Sequence, residues 1–310
     1  MTAGPRPGLG IGLVLLMGAC FAVSDTTIKY LGATLPVLLL LWARYVFQAV
    51  AMAVWLAYRG GVGFRCAHPR FQATRAALLL LTSAMGFFGL QLMPVAEFTA
   101  LGMLAPVVVT LLAAWVLHEP VSKLRWALVW GGFAGALIVI RPGSGVFGWV
   151  AIFPLAMALC YGAFQALTSK LAALESPYTT NFYTGLGGAL ILTPLLPLGG
   201  AEMLGALHGT PASQWLLLLA IGACATAGHL LLIFAFGLAP TAILMPFTYV
   251  QIAFAVAVAW LVFRHVPDAW AWIGMGVITA CGAASAWLNV RAAAASRFRD
   301  PVAVAGTIAD

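Results

Sequence analysis

The sequence predicts an all-α membrane protein, with ten transmembrane helices arranged as two inverted five-helix repeats and both termini cytoplasmic. Three observations carry that reading. Hydrophobic residues make up 63% of the 310 residues and charged residues only 7%, where a soluble domain carries about 25% charged residues. The apolar residues gather into stretches long enough to cross ~30 Å of hydrocarbon as helix. The second half of the chain also echoes the first at a nearly constant offset.

Cut at charged residues and at Pro/Gly breaks, the apolar segments run 9–31, 35–57, 76–94, 96–117, 122–140, 147–171, 178–199, 213–236, 240–263 and 268–290. Only Arg6 precedes the first, and no convincing cleavage site follows it, so it reads as a retained helix rather than a signal peptide. Pro36 precedes the core of the second segment and Arg59 closes it. Arg75 and Pro94 bound the third, and Glu119-Pro120 ends the fourth. The fifth stops at Arg141-Pro142-Gly143. Lys170, Gly199-Gly200, Pro240 and Arg264 punctuate the second half in the same way. Short connections make successive helices antiparallel.

Orientation follows from Lys and Arg, which concentrate in cytoplasmic loops. With the N-terminus inside, the inner side carries Arg6, Arg59, Arg65, Arg70, Arg75, Lys123, Arg125, Lys170, Arg291, Arg297 and Arg299. The outer side carries only Lys29, Arg141 and Arg264, and Arg44 lies within the second segment. The net charge of +7 therefore reads as topology and not as a nucleic-acid surface. Cys20, Cys66, Cys160, Cys224 and Cys281 have no paired spacing, so neither a disulfide framework nor a zinc site is indicated. The last stretch, "RAAAASRFRDPVAVAGTIAD", reads as a disordered tail.

The internal repeat is visible in residues. "ACFAVSDTTIKYL" (19–31) aligns without gaps to "LCYGAFQALTSKL" (159–171), bringing Cys20 onto Cys160, Phe21 onto Tyr161 and Asp25 onto Gln165. "WVLHEPVSKLRW" (115–126) resembles "WLVFRHVPDAWAW" (260–272) with one residue inserted. Five helices per half is an odd number, so the second half enters the membrane from the opposite face, as in many secondary transporters. The divisions are 1–144 and 145–290 for the repeats and 291–310 for the tail.

At these residues the chain resembles the drug/metabolite transporter superfamily, EamA type. "AEFTALGMLAPVVV" with the run that follows to residue 143, and "GHLLLIFAFGLAPTAILMPFTYVQ" with its continuation to 278, are similar to paired helices of that family. "LWARYVFQ" (41–48) and "PFTYVQ" (246–251) resemble its bacterial branch of amino-acid and metabolite carriers, aromatic amino-acid exporters included. The resemblance implies a cavity between the two halves, and export as the direction. Arg264-His265 departs from it, standing where such proteins often place an acid matched here by Glu119.

Charges inside an apolar segment are costly and mark function or pairing. Asp25 and Lys29 are four residues apart on one helical face. Either they form a static pair with Lys29 snorkelling outward, or Asp25 lines the cavity and binds a substrate amine or a proton. Arg44, near the middle of its segment, is a carboxylate anchor or a permanent partner of Asp25. Further cavity candidates are Gln48, Tyr161, Gln165, His229, Tyr249 and Gln251. Each has interhelical hydrogen bonding as its alternative, and Tyr249 and Gln251, two apart, point in different directions. Pro106 and Pro246 are candidate bends for gating. Trp55, Trp126, Trp149, Trp215 and Trp270 sit where an interfacial belt is expected. Glu97 and Glu119 fall at outer and inner boundaries. Gly131, Gly132, Gly135, Gly274, Gly276 and Gly282 suggest a close-packed scaffold or dimer face.

These features read as a secondary-active transporter of the bacterial inner membrane that works by alternating access. Its substrate would be a small amphipathic metabolite, amino acids first, with no cofactor, no metal and no nucleic-acid partner, in a monomer or homodimer. An uptake carrier for a larger cofactor-like metabolite is the alternative. No Walker motif is present to couple ATP. The histidines His68, His118, His208, His229 and His265 show no catalytic spacing, which argues against a membrane transferase, and a channel would need rings of pore groups. Cysteine labelling should place both termini and residues 59–75 on the cytoplasmic side and residues 200–212 outside. Labelling of 59–75 and 200–212 from one side would remove the inverted repeat.

Overall fold

The computed structural model describes residues 6–60, 64–105, 107–108, 123–141, 147–172 and 174–299. Its helices are α1 (Pro7–Leu31), α2 (Val37–Tyr58), α3 (Pro69–Leu92), α4 (Val95–Gly102), α5 (Lys123–Ile140), α6 (Ile152–Leu171), α7 (Pro177–Leu192), α8 (Gly200–Gly209), α9 (Ala212–Leu238), α10 (Thr241–Thr248), α11 (Val250–Phe263) and α12 (Ala269–Arg299). A 3-10 turn, Gly148–Ala151, leads into α6, and another, Thr193–Gly199, extends α7. Among the described residues there is no strand, and helix occurs in each of the ten predicted segments.

Proline sets many of the starts. Pro7, Pro69 and Pro177 occupy the first turns of α1, α3 and α7, where the missing N–H is unneeded and φ is already helical. Pro36, Pro94, Pro211 and Pro240 stand immediately before α2, α4, α9 and α10. At the far end of the bundle Asp268 caps α12: its Oδ1 accepts the Ala271 N–H at 2.8 Å and its Oδ2 pairs with Arg141 at 2.7 Å. That N–H and the guanidinium hold the Asp268 carboxyl below its ordinary range.

Three elements depart from the sequence reading. Pro194 and Pro197 tighten the end of the seventh segment into 3-10 geometry, and Gly200, at φ +54°, turns the chain into the unforeseen α8. Helix α12 continues to Arg299, so the tail expected from residue 291 begins as helix. The third helix starts at Pro69 and not near residue 76, which draws Arg75 out of the basic loop and into the bundle.

Packing follows the repeat. If α1 corresponds to α6, α2 to α7, α3 to α9, α4 to α10–α11 and α5 to α12, exchanging the halves maps neighbours onto neighbours. Thus α1 packs on α9 as α6 packs on α3, and α1 meets α10 and α11 as α6 meets α4, while α2–α7 and α5–α12 map onto themselves. Large apolar side chains such as Val54, Trp130, Leu190 and Leu216 face outward, as lipid contact requires.

The fourth and ninth segments are both interrupted. Each begins with an eight-residue helix behind a proline, α4 after Pro94 and α10 after Pro240. The first break is a turn at Met103–Leu104 and the second falls at Tyr249. Pro106 lies outside the described residues. Pro246 sits inside α10, and the break follows three residues later, where the Thr248 hydroxyl donates to the Met245 carbonyl at 2.7 Å.

The glycines of α5 and α12 are mostly spent inside the bundle. A Cβ on Gly274 would lie 2.7 Å from the Gly135 carbonyl oxygen and 2.5 Å from Val139. Gly131 meets Cys281, Gly132 meets Val107, and Gly282 leaves room for the Tyr249 ring. Of the set suggested as a scaffold or dimer face, Gly276 has open space before it. Gly274→Ala must push α5 and α12 apart. It should lower stability by roughly 1–3 kcal/mol, read as a lower melting temperature in detergent, whereas Gly276→Ala should melt near the parent.

Candidate functional site

Between the halves lies a small cavity, about 650 Å³ only when the open space at its mouth is included. Helix α1 contributes Phe21, Ser24 and Asp25, α2 Arg44, and α3 Thr82, Ser83 and Phe87. Phe98 and Met103 come from α4 and its break, Met157 and Tyr161 from α6, His229 from α9 and Gln251 from α11. The aromatic and thioether side chains share the wall with the aliphatic Ile28, Leu79, Leu90 and Ala225, and Ser24, Asp25, Arg44, Thr82, Ser83, His229 and Gln251 give it a substantial polar part.

Arg44 is 4% exposed and is solvated by neutral groups. Its Nη1 donates to Ser83 Oγ at 2.9 Å and its Nη2 to His229 Nε2 at 2.9 Å. The guanidinium also sits 4.6 Å from the centroid of the Tyr45 ring, whose hydroxyl bonds Ser83 Oγ at 2.9 Å. A guanidinium only donates, so His229 Nε2 accepts and the ring is neutral with its proton on Nδ1. That Nδ1 is buried without a partner among the described residues. Phe21 and Phe164 pack the imidazole, with centroids 4.9 and 5.7 Å away.

Of the two readings of Asp25 and Lys29, the static pair does not form. Lys29 Nζ donates to the carbonyls of Leu90 at 2.8 Å and Met93 at 2.9 Å. The last carbonyls of a helix lack intrahelical donors and carry the negative end of its dipole, so a long cationic side chain finds better partners there. Lys29 thereby ties α1 to the end of α3. The short Asp25 side chain stays in the cavity, and Arg44, held by Ser83 and His229, is not its ion-pair partner either.

Of the remaining candidates, Tyr161, His229 and Gln251 line the cavity with Asp25 and Arg44, and three others do not. Gln48 is fully buried and donates to the Asn181 backbone carbonyl at 3.0 Å and side chain at 2.7 Å, joining α2 to α7. Gln165 is buried one turn from Tyr161, outside the lining. Tyr249 turns onto α12 at Gly282, so of the Tyr249–Gln251 couple it is Gln251 that faces the cavity. Glu97 is buried and accepts from His265 Nε2 at 3.0 Å. Glu119 lies outside the described residues.

Arg75 was not foreseen, because a basic residue beside Arg65 and Arg70 looks like topology. It is fully buried, with Nε donating to Thr168 Oγ1 at 2.8 Å and Nη1 to the Thr180 carbonyl and the Thr184 hydroxyl. Its guanidinium lies 4.5 Å from the centroid of Phe164. A signal was present in Pro69, a helix-start residue that puts Arg75 well inside the third helix. Ser83 was missed as well, since a lone serine in an apolar segment carries no pattern of its own.

The EamA-like transporter family matches residues 8–141 and again 148–284. Among curated proteins, the chain is 28% identical over 276 residues to a riboflavin transporter of Rhizobium johnstonii, covering 88% of this chain and 89% of that one. It is 25% identical over 262 residues to an S-adenosylmethionine uptake transporter of Rickettsia conorii, covering 84% and 86%. It is 27% identical over 287 residues to a pseudopaline exporter of Pseudomonas aeruginosa, covering 89% and 95%.

Because Asp25 and Lys29 engage different surroundings, their replacements should act independently. Lys29→Gln should cost roughly 1.5–3 kcal/mol through its lost charged hydrogen bonds. In a double-mutant cycle with Asp25→Asn, read by unfolding in detergent, the coupling should stay within about 0.5 kcal/mol. A coupling well above that would restore the static pair.

Proposed function

The chain belongs to the EamA-like transporter family, and from that premise we propose that it is an uptake carrier for a cofactor-sized, ring-bearing metabolite. The observation that carries the proposal is the cavity itself. Phe21, Phe87, Phe98 and Tyr161 offer flat apolar faces beside the Arg44–His229–Ser83 network and the Gln251 amide. Such a site suits a planar ring with a polar edge better than an amino-acid headgroup alone. The relatives named for riboflavin and S-adenosylmethionine support the same direction of thought. Export of an amino acid or related zwitterion is the second reading, favoured by the Arg44 guanidinium and by the similarity to the pseudopaline exporter.

In this proposal the protein spans the bacterial inner membrane with its termini in the cytoplasm, and moves its substrate unchanged. Two closures flank the cavity. Toward the face that carries residue 6, Arg75 ties α3 to Thr168 of α6 and to Thr180 and Thr184 of α7, with Phe164 between it and His229. Toward the other face, Lys29 clamps α3, and the His265–Glu97 contact joins the two halves. Both sets are made here; alternating access then consists of breaking one set while the other stays made, with the interruptions at Met103–Leu104 and Tyr249 as places where the helices bend.

Proteoliposomes holding the purified protein should accumulate labelled riboflavin or S-adenosylmethionine above empty liposomes. Accumulation of phenylalanine with neither cofactor would return the site to the amino-acid reading. Arg44→Ala removes two charge-assisted hydrogen bonds, each worth about 1.5–3 kcal/mol, and should reduce flux at least roughly tenfold. Arg44→Lys cannot bridge Ser83 and His229 together with a planar fork and should recover only part of it. Full flux in the Lys variant would remove the guanidinium from recognition.

A further inference from the structure

We infer that the cavity takes a substrate bearing a positively charged centre, held by Asp25 and the aromatic wall around it. The inference rests on reading the cavity as the substrate site, and it concerns charge, which ring size and shape leave open.

Asp25 has no hydrogen bond and no ion pair among the described residues, although it borders the cavity. The neighbouring cations and the Thr82 hydroxyl are bonded elsewhere. Lys29 is turned onto the end of α3. Arg44 directs Nη1 and Nη2 at Ser83 and His229. The hydroxyl of Thr82, also on the cavity, donates to the Leu78 carbonyl one turn back on its own helix. An ionised carboxylate accepts at two oxygens and donates nothing, and in an apolar surrounding it is stable only against a cation or a donor. The protein spends its own cations on neutral acceptors and leaves this acceptor for the occupant.

The wall decides what kind of cation fits. A hard metal ion requires a shell of six to eight oxygen ligands. Beside Asp25 the lining offers only scattered single oxygens, of Ser24, Thr82, Ser83 and Gln251, with Ser83 already bound to Arg44 and Tyr45 and Thr82 to Leu78, while Phe21, Phe87, Phe98 and Tyr161, with Met103 and Met157, supply π-faces and thioethers. Aromatic faces attract organic ammonium-type cations through the ring quadrupole. A carboxylate at one edge of such a wall therefore favours a ring system carrying a quaternary or protonated centre, with Arg44 beside it for an acceptor on the same molecule.

The test uses ring-bearing probes that differ by one charged methyl group: nicotinamide against 1-methylnicotinamide, and quinoline against 1-methylquinolinium. Binding to the purified full-length protein in detergent is measured by equilibrium dialysis. The charged member of a pair should bind about tenfold tighter or better, and Asp25→Asn should shrink that preference to about threefold or less. Asp25→Glu keeps the charge and should keep the preference, which separates loss of recognition from misfolding. Equal binding within both pairs, no binding of either cation, or an undiminished preference in Asp25→Asn would each overturn the inference. A proton as the sole occupant of Asp25 belongs with the first outcome. If the cation preference holds while no cofactor-sized compound is accumulated, the uptake proposal falls alone. If cofactors accumulate and the pairs are bound alike, only the present inference falls.

Discussion

Hydrocarbon offers no water to a buried charge, so every cation inside this bundle must be solvated by the protein itself. The chain does this with neutral dipoles. Arg44 has a serine hydroxyl, an imidazole nitrogen and a tyrosine face. Arg75 has two threonine hydroxyls, a backbone carbonyl and a phenylalanine face. Lys29 has two carbonyls at the end of a helix. Each arrangement crosses between helices, so meeting the electrostatic demand also fixes which helices lie together.

Choosing dipoles over carboxylates has a second consequence. A buried ion pair is a closed unit, whereas a guanidinium held by hydroxyls and an imidazole keeps its charge available to the space beside it. The cavity therefore holds the Arg44 guanidinium and the Asp25 carboxyl group with no ion pair between them. Its apolar walls, contributed by both halves, keep the local dielectric low and strengthen the field of the guanidinium.

The repeat supplies the frame. Contacts that map onto one another when the halves are exchanged place the two interrupted segments, α4 and α10–α11, on corresponding elements around the cavity. Sequence identity between the halves is thin, and the chemistry is not symmetric. Asp25 answers to Gln165 in the repeat, yet one borders the cavity and the other is buried away from it. A shared backbone plan carrying unequal side chains is what lets one site have a defined polar edge.

Ten helical segments, the two halves and the membrane environment were legible in the sequence, because apolar length and Pro/Gly punctuation are local properties that lipid enforces strictly. The same local rules put Asp25, Arg44, Tyr161, His229 and Gln251 forward as cavity groups, since a polar side chain deep in an apolar segment is rare. Which partner each group takes was not legible. Asp25 and Lys29 share a helical face, but Lys29 reaches the carbonyls of Leu90 and Met93, more than sixty residues away in the chain. Gln48 and Tyr249 turn into interhelical contacts, Arg75 leaves the basic loop for the core, and the glycines of α5 and α12 pack against each other. Periodicity gives the direction of a side chain on its own helix, and only the packing of the other helices decides what stands opposite it.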